Sequence, residues 1–570
     1  MEDTNKRGAE EASVQEGEPA AKKCELTTVR DYSTEKDVGI EFYVSKEKGI
    51  RGILKDSSDD FIVEEINRDG KIVELVKEEA PPEDSVVEEK MTPEEGWKVL
   101  HSLFDDATCT SIQTFVDSVK SNPASLEKLT LPALSVKEQR KNVHQVIRKA
   151  FPECVSDTEG DCIVLYSCKN NTTYHQKPRK GWPYPDRNYV EFTLEKRGQD
   201  TASVINSLAH ITHRNPKMFS YYGTKDKRAV TTQRVTAYRI NPTDLLQGVK
   251  KLKDIRIGDF AYVSEAAGVG QNRGNHFIIT LRGIRENNPE SAEAELRARL
   301  AGVLASLREV GYLNYYGLQR FGNEGKNIAV GCMMLRGEWE AAVRTILRSN
   351  RNANMAEALC VFEATGDGLE ALKKLPRYMS TEIALFRALG KSGGKGFSNA
   401  LASIPFTRRT LYVHAVQSYL FNRFVNARLA LGLAVVPGDL VCEDESTSDL
   451  NDKIEVVEVT EANKAQFRIQ QVILPLPGLS TTIPAYLQAC YDQYLQELGL
   501  ARDCWSTCVR EYQMHGAYRR MVLRPRSIEG SLEDDSVKVA FSLDSGCYAT
   551  MLIREITKYE TDSKSQQSLA

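Results

Sequence analysis

Strand-like and helical patterns follow each other along the middle of this 570-residue chain and then give way to a mainly helical stretch. Alternating apolar residues predict strands, and apolar residues three or four positions apart predict helices, among them a long helix over about 289–310. The predicted strands are 61–66, 71–76, 190–194, 230–240, 260–263 and 277–281. Helices are predicted at 326–350, 354–375, 409–431 and 482–499, with a short β portion near 434–473. Strands with segregated helices are typical of an α+β fold.

Composition restricts the classes of protein to which the chain can belong. It is 41% hydrophobic and 27% charged, and no apolar run approaches the roughly 18 residues that a membrane span requires. The twelve cysteines show no CxxC spacing, so we expect neither a metal site nor a disulfide framework, and reduced thiols instead. The net charge of −4 means that any nucleic-acid surface must be local.

One window, Gly223–Gln233, combines a glycine, a carboxylate and three cations between two predicted strands. Asp226 lies among Lys225, Lys227 and Arg228, and nearby positive charge favours an ionised carboxylate. An ionised carboxylate next to groups that bind phosphate suits an enzyme that attacks a nucleoside within a nucleic acid. A solvated turn, with the aspartate capping its own backbone, fits the same residues.

This window resembles the catalytic-aspartate motif of the TruD family of pseudouridine synthases, which rearrange uridine to pseudouridine within RNA. Four further segments resemble motifs of the same family, in the family's order. They are Gly52–Lys55 with Asp59–Glu65, Asn272–Phe277, Asn314–Gly322, and Phe541–Glu555. The extra length between the early motifs resembles the eukaryotic branch of the family.

The resemblance implies a mixed or antiparallel-sheet catalytic domain in three parts, 41–80, 186–325 and 536–558, interrupted by an inserted TRUD α+β domain at 326–535. Residues 81–185 resemble the small basic insertion of the eukaryotic branch, which has been likened to single-strand-binding modules. Arg140 and His144 have the Arg-x-x-x-His spacing of those modules, although a basic helix that only packs fits equally well. We expect a disordered tail at 1–40 and a polar tail at 559–570.

The resemblance also assigns roles to single residues. It makes Asp226 the nucleophile and Lys55 its charge partner. Asn275 and Phe277, two apart and therefore on one face of a strand, are implied to grip the target uracil. Tyr548 takes the place of a family aromatic near that base.

Other polar residues have roles that the sequence leaves open. Lys225, Lys227 and Arg228 are expected to face phosphates, or else to be plain surface charges. Asn314, Gln319 and Arg320 are expected to support the nucleophile's loop or to contact RNA, and Lys196 and Thr201 to be structural. Two sets of basic residues are candidates for holding RNA, Lys177–Arg187 and Arg519–Arg520 with Arg524 and Arg526, and a solvated face fits either set equally well.

The expected function is a monomeric RNA pseudouridine synthase that needs no cofactor or metal. By resemblance its substrates are tRNA and other RNAs, including mRNA and snRNA, in a short U-N-U-A-R context. The pairs Lys6–Arg7 and Lys22–Lys23 fit a loose bipartite nuclear signal, with the cytoplasm as a second compartment, and they fit plain solvated charges as well. Two alternatives remain: a catalytically silent RNA-binding or chaperone protein on the same fold, and a glycosylase that uses aspartate.

Overall fold

The structure is a computed structural model that describes residues 32–81, 91–123, 125–134, 136–160, 162–167, 182, 184 and 186–569, apart from 351, 445–448, 451–453 and 508. The predicted nuclear-signal pairs and most of Lys177–Arg187 lie outside the described residues. The chain divides into two compact units. One is Glu64–Asn272, and the other combines Met1–Val63 with Arg273–Ala570.

The unit Glu64–Asn272 contains an antiparallel sheet around the strand Tyr189–Arg197. This strand pairs with Val230–Tyr238 on one side and with Ile255–Val263 on the other. Phe219–Tyr221 pairs with the last part of Val230–Tyr238, from Val235 to Ala237. The helices Thr201–Ile211 and Pro242–Val249 contribute to the same apolar core as these strands. The prediction of a strand at 71–76 is wrong, because this segment forms only one isolated β-bridge, between Ile66 and Ile72.

A smaller module in this unit has an apolar core of its own. It comprises the helices Pro93–Leu103, Asp106–Ser121 and Lys137–Ala150 and the antiparallel strands Lys128–Thr130, Cys154–Glu159 and Cys162–Ser167. The His144 ring bonds to hydroxyls of the neighbouring strand, at 2.8 Å to Ser156 Oγ and 2.9 Å to Thr158 Oγ1. The imidazole of the Arg-x-x-x-His pattern therefore contributes to packing within the module, and RNA binding by the module stays a prediction.

The other unit contains a second set of antiparallel strands. Gly274–Arg282 pairs with Ser536–Asp544 over nine residues, and Ser536–Asp544 pairs in turn with Ser527–Glu533. Ile53–Leu54 pairs with the end of Gly274–Arg282. The strand Ser527–Glu533 lies before the predicted boundary at 536, which is corrected to precede 527. The sequence does not show the apolar alternation of a strand here, because Ile528 and Leu532 are the only buried side chains of Ser527–Glu533.

The insertion in this unit is mainly helical, as predicted, around the long helix Phe406–Leu429. Its other helices are Lys326–Leu335, Trp339–Arg348, Ala353–Thr365, Gly368–Leu372, Ser380–Lys391, Phe397–Ala402, Gln488–Glu497 and Cys504–Thr507. A small antiparallel sheet runs in the order Asp449–Leu450, Ala517–Arg520, Val472–Leu476, Leu440–Val441, Val457–Glu458. The helices predicted at 326–350 and 354–375 are each broken at a glycine with positive φ, Gly337 and Gly366.

Both predicted tails are corrected where the structure describes them. In the first, Tyr32, Val38 and Ile40 are buried, and the fully buried Glu35 pairs with Arg554 Nε at 2.5 Å. The prediction of a disordered tail was based on composition, and composition does not distinguish charged residues that pair inside the protein from charged residues in water. The second tail continues the helix Ala549–Thr557 into a packed segment that includes the short helix Ser563–Gln567. In the described part of the chain, no helix is both long and apolar enough to span a bilayer.

Candidate active site

Asp226 lies in a turn without regular secondary structure, between the strands Phe219–Tyr221 and Val230–Tyr238. Its side chain is half-buried, and the next two residues, Lys227 and Arg228, are exposed. Of the predicted grouping of one carboxylate with three cations, the carboxylate and two of the cations are therefore accessible. Such a surface suits the backbone of a polyanion.

Lys225 does not belong to that surface, which corrects the prediction that it faces phosphates. Its side chain is only 4% exposed, and its Nζ lies 2.9 Å from Oε2 of Glu65, which is fully buried. The other carboxylate oxygen of Glu65 accepts a hydrogen bond from the backbone N–H of Arg234. Lys225 therefore fastens the turn to the interior of its unit, because the amine and both oxygens of this buried ion pair have partners.

Three further buried side chains hold the backbone of the same turn. Gln233 donates from Nε2 to the carbonyl of Gly223 at 3.0 Å, and Thr201 Oγ1 accepts from the N–H of Lys225 at 3.1 Å. The ammonium of Lys196 donates to the carbonyl of Asp226 at 2.8 Å. The prediction that Lys196 and Thr201 are structural residues agrees with these contacts, and the structure shows what they support.

Lys55 follows the strand Ile53–Leu54 in the other unit, and its φ of +60° lies in the left-handed region that residues other than glycine seldom adopt. The turn is fixed by Asp60, which accepts from the Ser57 N–H at 2.7 Å and from Arg282 Nε at 2.8 Å. The Lys55 ammonium lies 3.7 Å from the centroid of the Phe61 ring, a cation–π contact. The turn thus holds Lys55 in a strained backbone conformation, and such strain is common at functional sites.

Phe277 belongs to a row of aromatic rings in this unit. Its ring stacks on Phe541 with centroids 5.3 Å apart and meets Phe61 edge to face at 6.2 Å. The residue is 5% exposed, so its present role is that of a packed wall. Its predicted stacking on the target base stays a prediction.

Asn275 lies two residues before Phe277 on the strand Gly274–Arg282. Its Oδ1 atom is buried and accepts no hydrogen bond from any residue that the structure describes. An unsatisfied buried acceptor costs free energy, so the position favours a ligand that brings a donor. The N3–H group of uracil is such a donor.

Tyr548 directly precedes the helix Ala549–Thr557, and its ring meets Tyr316 edge to face at 6.0 Å. The glycine after Tyr316 allows this approach, because a Cβ on Gly317 would lie 2.9 Å from Cδ1 of Tyr548. The Arg320 guanidinium lies 5.0 Å from the centroid of the Tyr316 ring. The motif Asn314–Gly322 therefore packs against the residue predicted to lie near the uracil.

Arg519 connects this motif to the loop before Tyr548. Its Nη2 donates to Asn314 Oδ1 at 2.7 Å and to the Gly546 carbonyl at 3.1 Å, and its Cζ lies 4.2 Å from the centroid of the Tyr316 ring. Arg519 and Arg520 are both buried, so their predicted contact with RNA is wrong. Asn314 is buried and bonds to Arg519 and Arg520, whereas Gln319 is exposed. Their predicted roles, support of the nucleophile's loop or contact with RNA, stay predictions.

The sequence did not single out Glu65, Gln233 or Arg519 for these roles. Gln233 and Glu65 each belong to a segment that resembles a family motif, but the motifs do not predict these contacts. Glu65 and Arg519 act through contacts with residues far away in the chain. No group of three or more potential metal ligands occurs among the residues that the structure describes.

Residues 169–556, more than half of the chain, match the family model for tRNA pseudouridine synthase D (TruD). The chain belongs to the TruD family. The pseudouridylate synthase 7 homolog of Mus musculus is 31% identical over 94% of this chain and 83% of its own length. The multisubstrate pseudouridine synthase 7 of Schizosaccharomyces pombe is 27% identical over 96% of this chain and 93% of its own.

Two further matches concern the fold and the small module. The crystal structure of a putative TruD protein from Methanosarcina mazei covers 92% of this chain and 97% of its own, with a TM-score of 0.52 and 21% identity. That likeness confirms the predicted TruD fold. Residues 98–176 match a model named for the PUS7L N-terminal domain, so the module is also similar to that domain. Membership of the family makes the protein an RNA pseudouridine synthase.

Proposed function

We propose that Asp226 is the nucleophile with which this enzyme converts uridine to pseudouridine. The observation that carries the proposal is the turn itself. Buried partners fix the backbone on both sides of the carboxylate, while the carboxylate is half-buried and Lys227 and Arg228 beside it are exposed. A nucleophile held in one orientation loses little entropy on reaching its target, and flanking cations hold the substrate's phosphates.

The reaction breaks the bond from ribose C1′ to uracil N1 and forms a bond from C1′ to C5. The proton on C5 leaves and N1 gains one, so the product is an isomer of the substrate. The carboxylate of Asp226 attacks C1′ or C6, or removes a ribose proton, and the three routes stay open. The target uridine must leave the stack, because its atoms are not accessible within a helix.

Asn275, Lys55 and Tyr548 are the remaining residues predicted to lie near the nucleoside. The buried Oδ1 of Asn275 is suited to accept from N3–H of uracil, and it would meet an acceptor instead of a donor in cytosine. Lys55 as the charge partner of Asp226, and Tyr548 as an aromatic group near the base, stay predictions.

The proposed substrates are tRNA together with other RNAs, including mRNA and snRNA. The name of the Schizosaccharomyces pombe relative, a multisubstrate pseudouridine synthase, supports more than one substrate. Mapping pseudouridine across all cellular RNA, with and without the protein, tests this. A modification confined to tRNA would contradict the proposal.

Substituting Asp226 by Asn tests the nucleophile. We expect turnover to fall on the order of 10⁴-fold or more, because the group that reacts is removed, while RNA affinity changes little. Tritium released from RNA labelled at uracil C5 measures turnover, and Asp69→Asn, an exposed aspartate of the same unit, is the matched control. Undiminished release by Asp226→Asn would refute the assignment.

The same assay separates the two alternatives. A silent RNA-binding protein would bind RNA and release no tritium in its unaltered form. A glycosylase would produce free uracil and an abasic site. Fluorescent fusions with and without Lys6–Arg7 and Lys22–Lys23 test the proposed nuclear location, and light scattering tests the proposed monomer.

A further inference from the structure

The turn that carries Asp226 is held almost entirely by buried side chains. Between Gly223 and Asp226 the backbone adopts neither helix nor strand. Buried or nearly buried polar groups must find partners, and here the partners come from the strand Tyr189–Arg197, the start of the helix Thr201–Ile211 and the strand Val230–Tyr238. Only one of these side chains contacts the main chain of Asp226 itself.

That side chain is Lys196, which is fully buried. Its ammonium donates to the carbonyl oxygens of Asp226 and Gln199, each at 2.8 Å, and lies 3.4 Å from that of Lys225. Three carbonyls thus face the three donors of one ammonium. An ammonium is costly to bury unless its donors are satisfied, so a charge at this position needs a reason beyond packing.

We propose that Lys196 is a positioning residue that fixes the main chain of Asp226 so that its carboxylate meets the target nucleoside in a reactive orientation. The inference rests on the proposed role of Asp226. Without the ammonium, three carbonyls lose their donor and the turn relaxes. A displacement of about 1 Å at a reacting group is enough to cost on the order of 10²-fold in rate.

Titration of Lys196 gives the proposal a signature that a merely structural lysine lacks. Burial lowers the pKa of Lys196 from 10.5 to about 8, while Asp226 and Asp200 act to raise it and Lys225 acts to lower it further. As the pH rises through 8, the amine loses its charge and one donor, so we expect turnover to fall.

Stability should change in the opposite direction over the same range. The unfolded lysine keeps its ordinary pKa of 10.5, so between pH 8 and 10.5 the unfolded chain binds more protons than the folded one. The contribution of Lys196 to folding stability therefore rises with pH in this window. Activity that falls while stability does not fall indicates positioning, whereas a structural role would not uncouple the two.

The test compares Lys196→Met, Lys196→Arg and the exposed control Lys251→Met. We expect Lys196→Met to lower single-turnover rates about 10- to 100-fold at pH 7, with RNA affinity and the thermal transition near those of the control. Lys196→Arg keeps its charge at high pH, so the alkaline fall in activity should shift upward by more than one pH unit. Each rate is measured from pH 6.5 to 9.5 beside a thermal melt.

The possible outcomes decide the proposal. A folded Lys196→Met that reacts at the control rate overturns it, and so does an alkaline fall that Lys196→Arg leaves unmoved. If Lys196→Met proves unstable, the profiles of the unaltered protein and Lys196→Arg still decide, and a flat profile between pH 7.5 and 9 refutes the positioning role. Turnover retained by Asp226→Asn would instead refute the nucleophile. An inactive Asp226→Asn with a fully active Lys196→Met refutes the role of Lys196 alone.

Discussion

The buried ion pair between Glu65 and Lys225 contributes to the stability of the unit that carries Asp226. Removing one partner leaves the other charge buried without its counter-ion, so Lys225→Met and Glu65→Gln should each lower the free energy of unfolding by about 3–5 kcal/mol. The double variant should lose less than the sum, because no lone charge remains. Urea unfolding measures all three.

Lys227→Met is the matched control for this pair, since the neighbouring lysine is exposed. It should change the free energy of unfolding by less than about 0.5 kcal/mol. Single variants of the pair that match this control would show that the ion pair contributes nothing to stability.

The residues around Asp226 show what sequence could predict and what it could not. The motif located Asp226 and the two exposed cations, because those residues are neighbours in the chain. It gave no means of separating Lys225 from Lys227, since the two side chains differ only in direction. Glu65, the residue that turns Lys225 inward, lies 160 positions away. Buried partners of this kind become visible only when the fold is known.

Among the secondary-structure elements, the contact between two helices of the insertion rests on one glycine. A Cβ on Gly331 would lie 2.2 Å from the carbonyl oxygen of Tyr412 and 2.7 Å from Cγ2 of Val416, on the facing helix. Gly331→Ala should therefore push the helices apart and cost about 1–3 kcal/mol of stability, although alanine favours the helical state. Thermal or urea unfolding measures the change.

Gly302→Ala, in the helix Glu293–Glu309, is the control for this substitution. Its Cβ would meet only the end of the flexible Glu47 side chain, at 3.2 Å. We expect that variant to be as stable as the unaltered protein or up to about 1 kcal/mol more stable. Equal effects of the two substitutions would show that the two facing helices accommodate a methyl group at Gly331.

Helices and strands were predicted correctly where apolar residues recur with a clear period, and they were missed where the segment is mostly polar. The helix predicted at 289–310 is present as Glu293–Glu309. The strand Ser527–Glu533 and the C-terminal segment were not predicted, because hydrogen bonds rather than apolar faces hold these segments in place. Gln566, for example, accepts from the backbone N–H of Leu54 at 2.8 Å, next to Lys55. A polar composition is thus compatible with a packed terminus that supports a predicted site residue.

For the molecule as a whole, the net charge of −4 sets a limit on how it binds RNA. Attraction cannot come from the overall charge, so it must come from local cations that release counterions from the phosphates they contact. The fold makes the local set around Asp226 smaller than the sequence suggested, because Lys225 is buried and only Lys227 and Arg228 are exposed.

The dependence of RNA affinity on salt tests this count. For single-stranded RNA each phosphate contact contributes about 0.7 to the slope of log affinity against log salt, so Lys227→Ala and Arg228→Ala should each reduce the slope by about that amount. Lys225→Ala should leave the slope unchanged and lower stability instead. Lys251→Ala is the surface control. The affinity for a short uridine-containing RNA strand is measured at salt concentrations from about 50 to about 300 mM. A slope that falls with Lys225→Ala but not with Lys227→Ala would mean that the buried lysine turns outward to meet RNA, and the ion pair with Glu65 would then be a resting state of the turn.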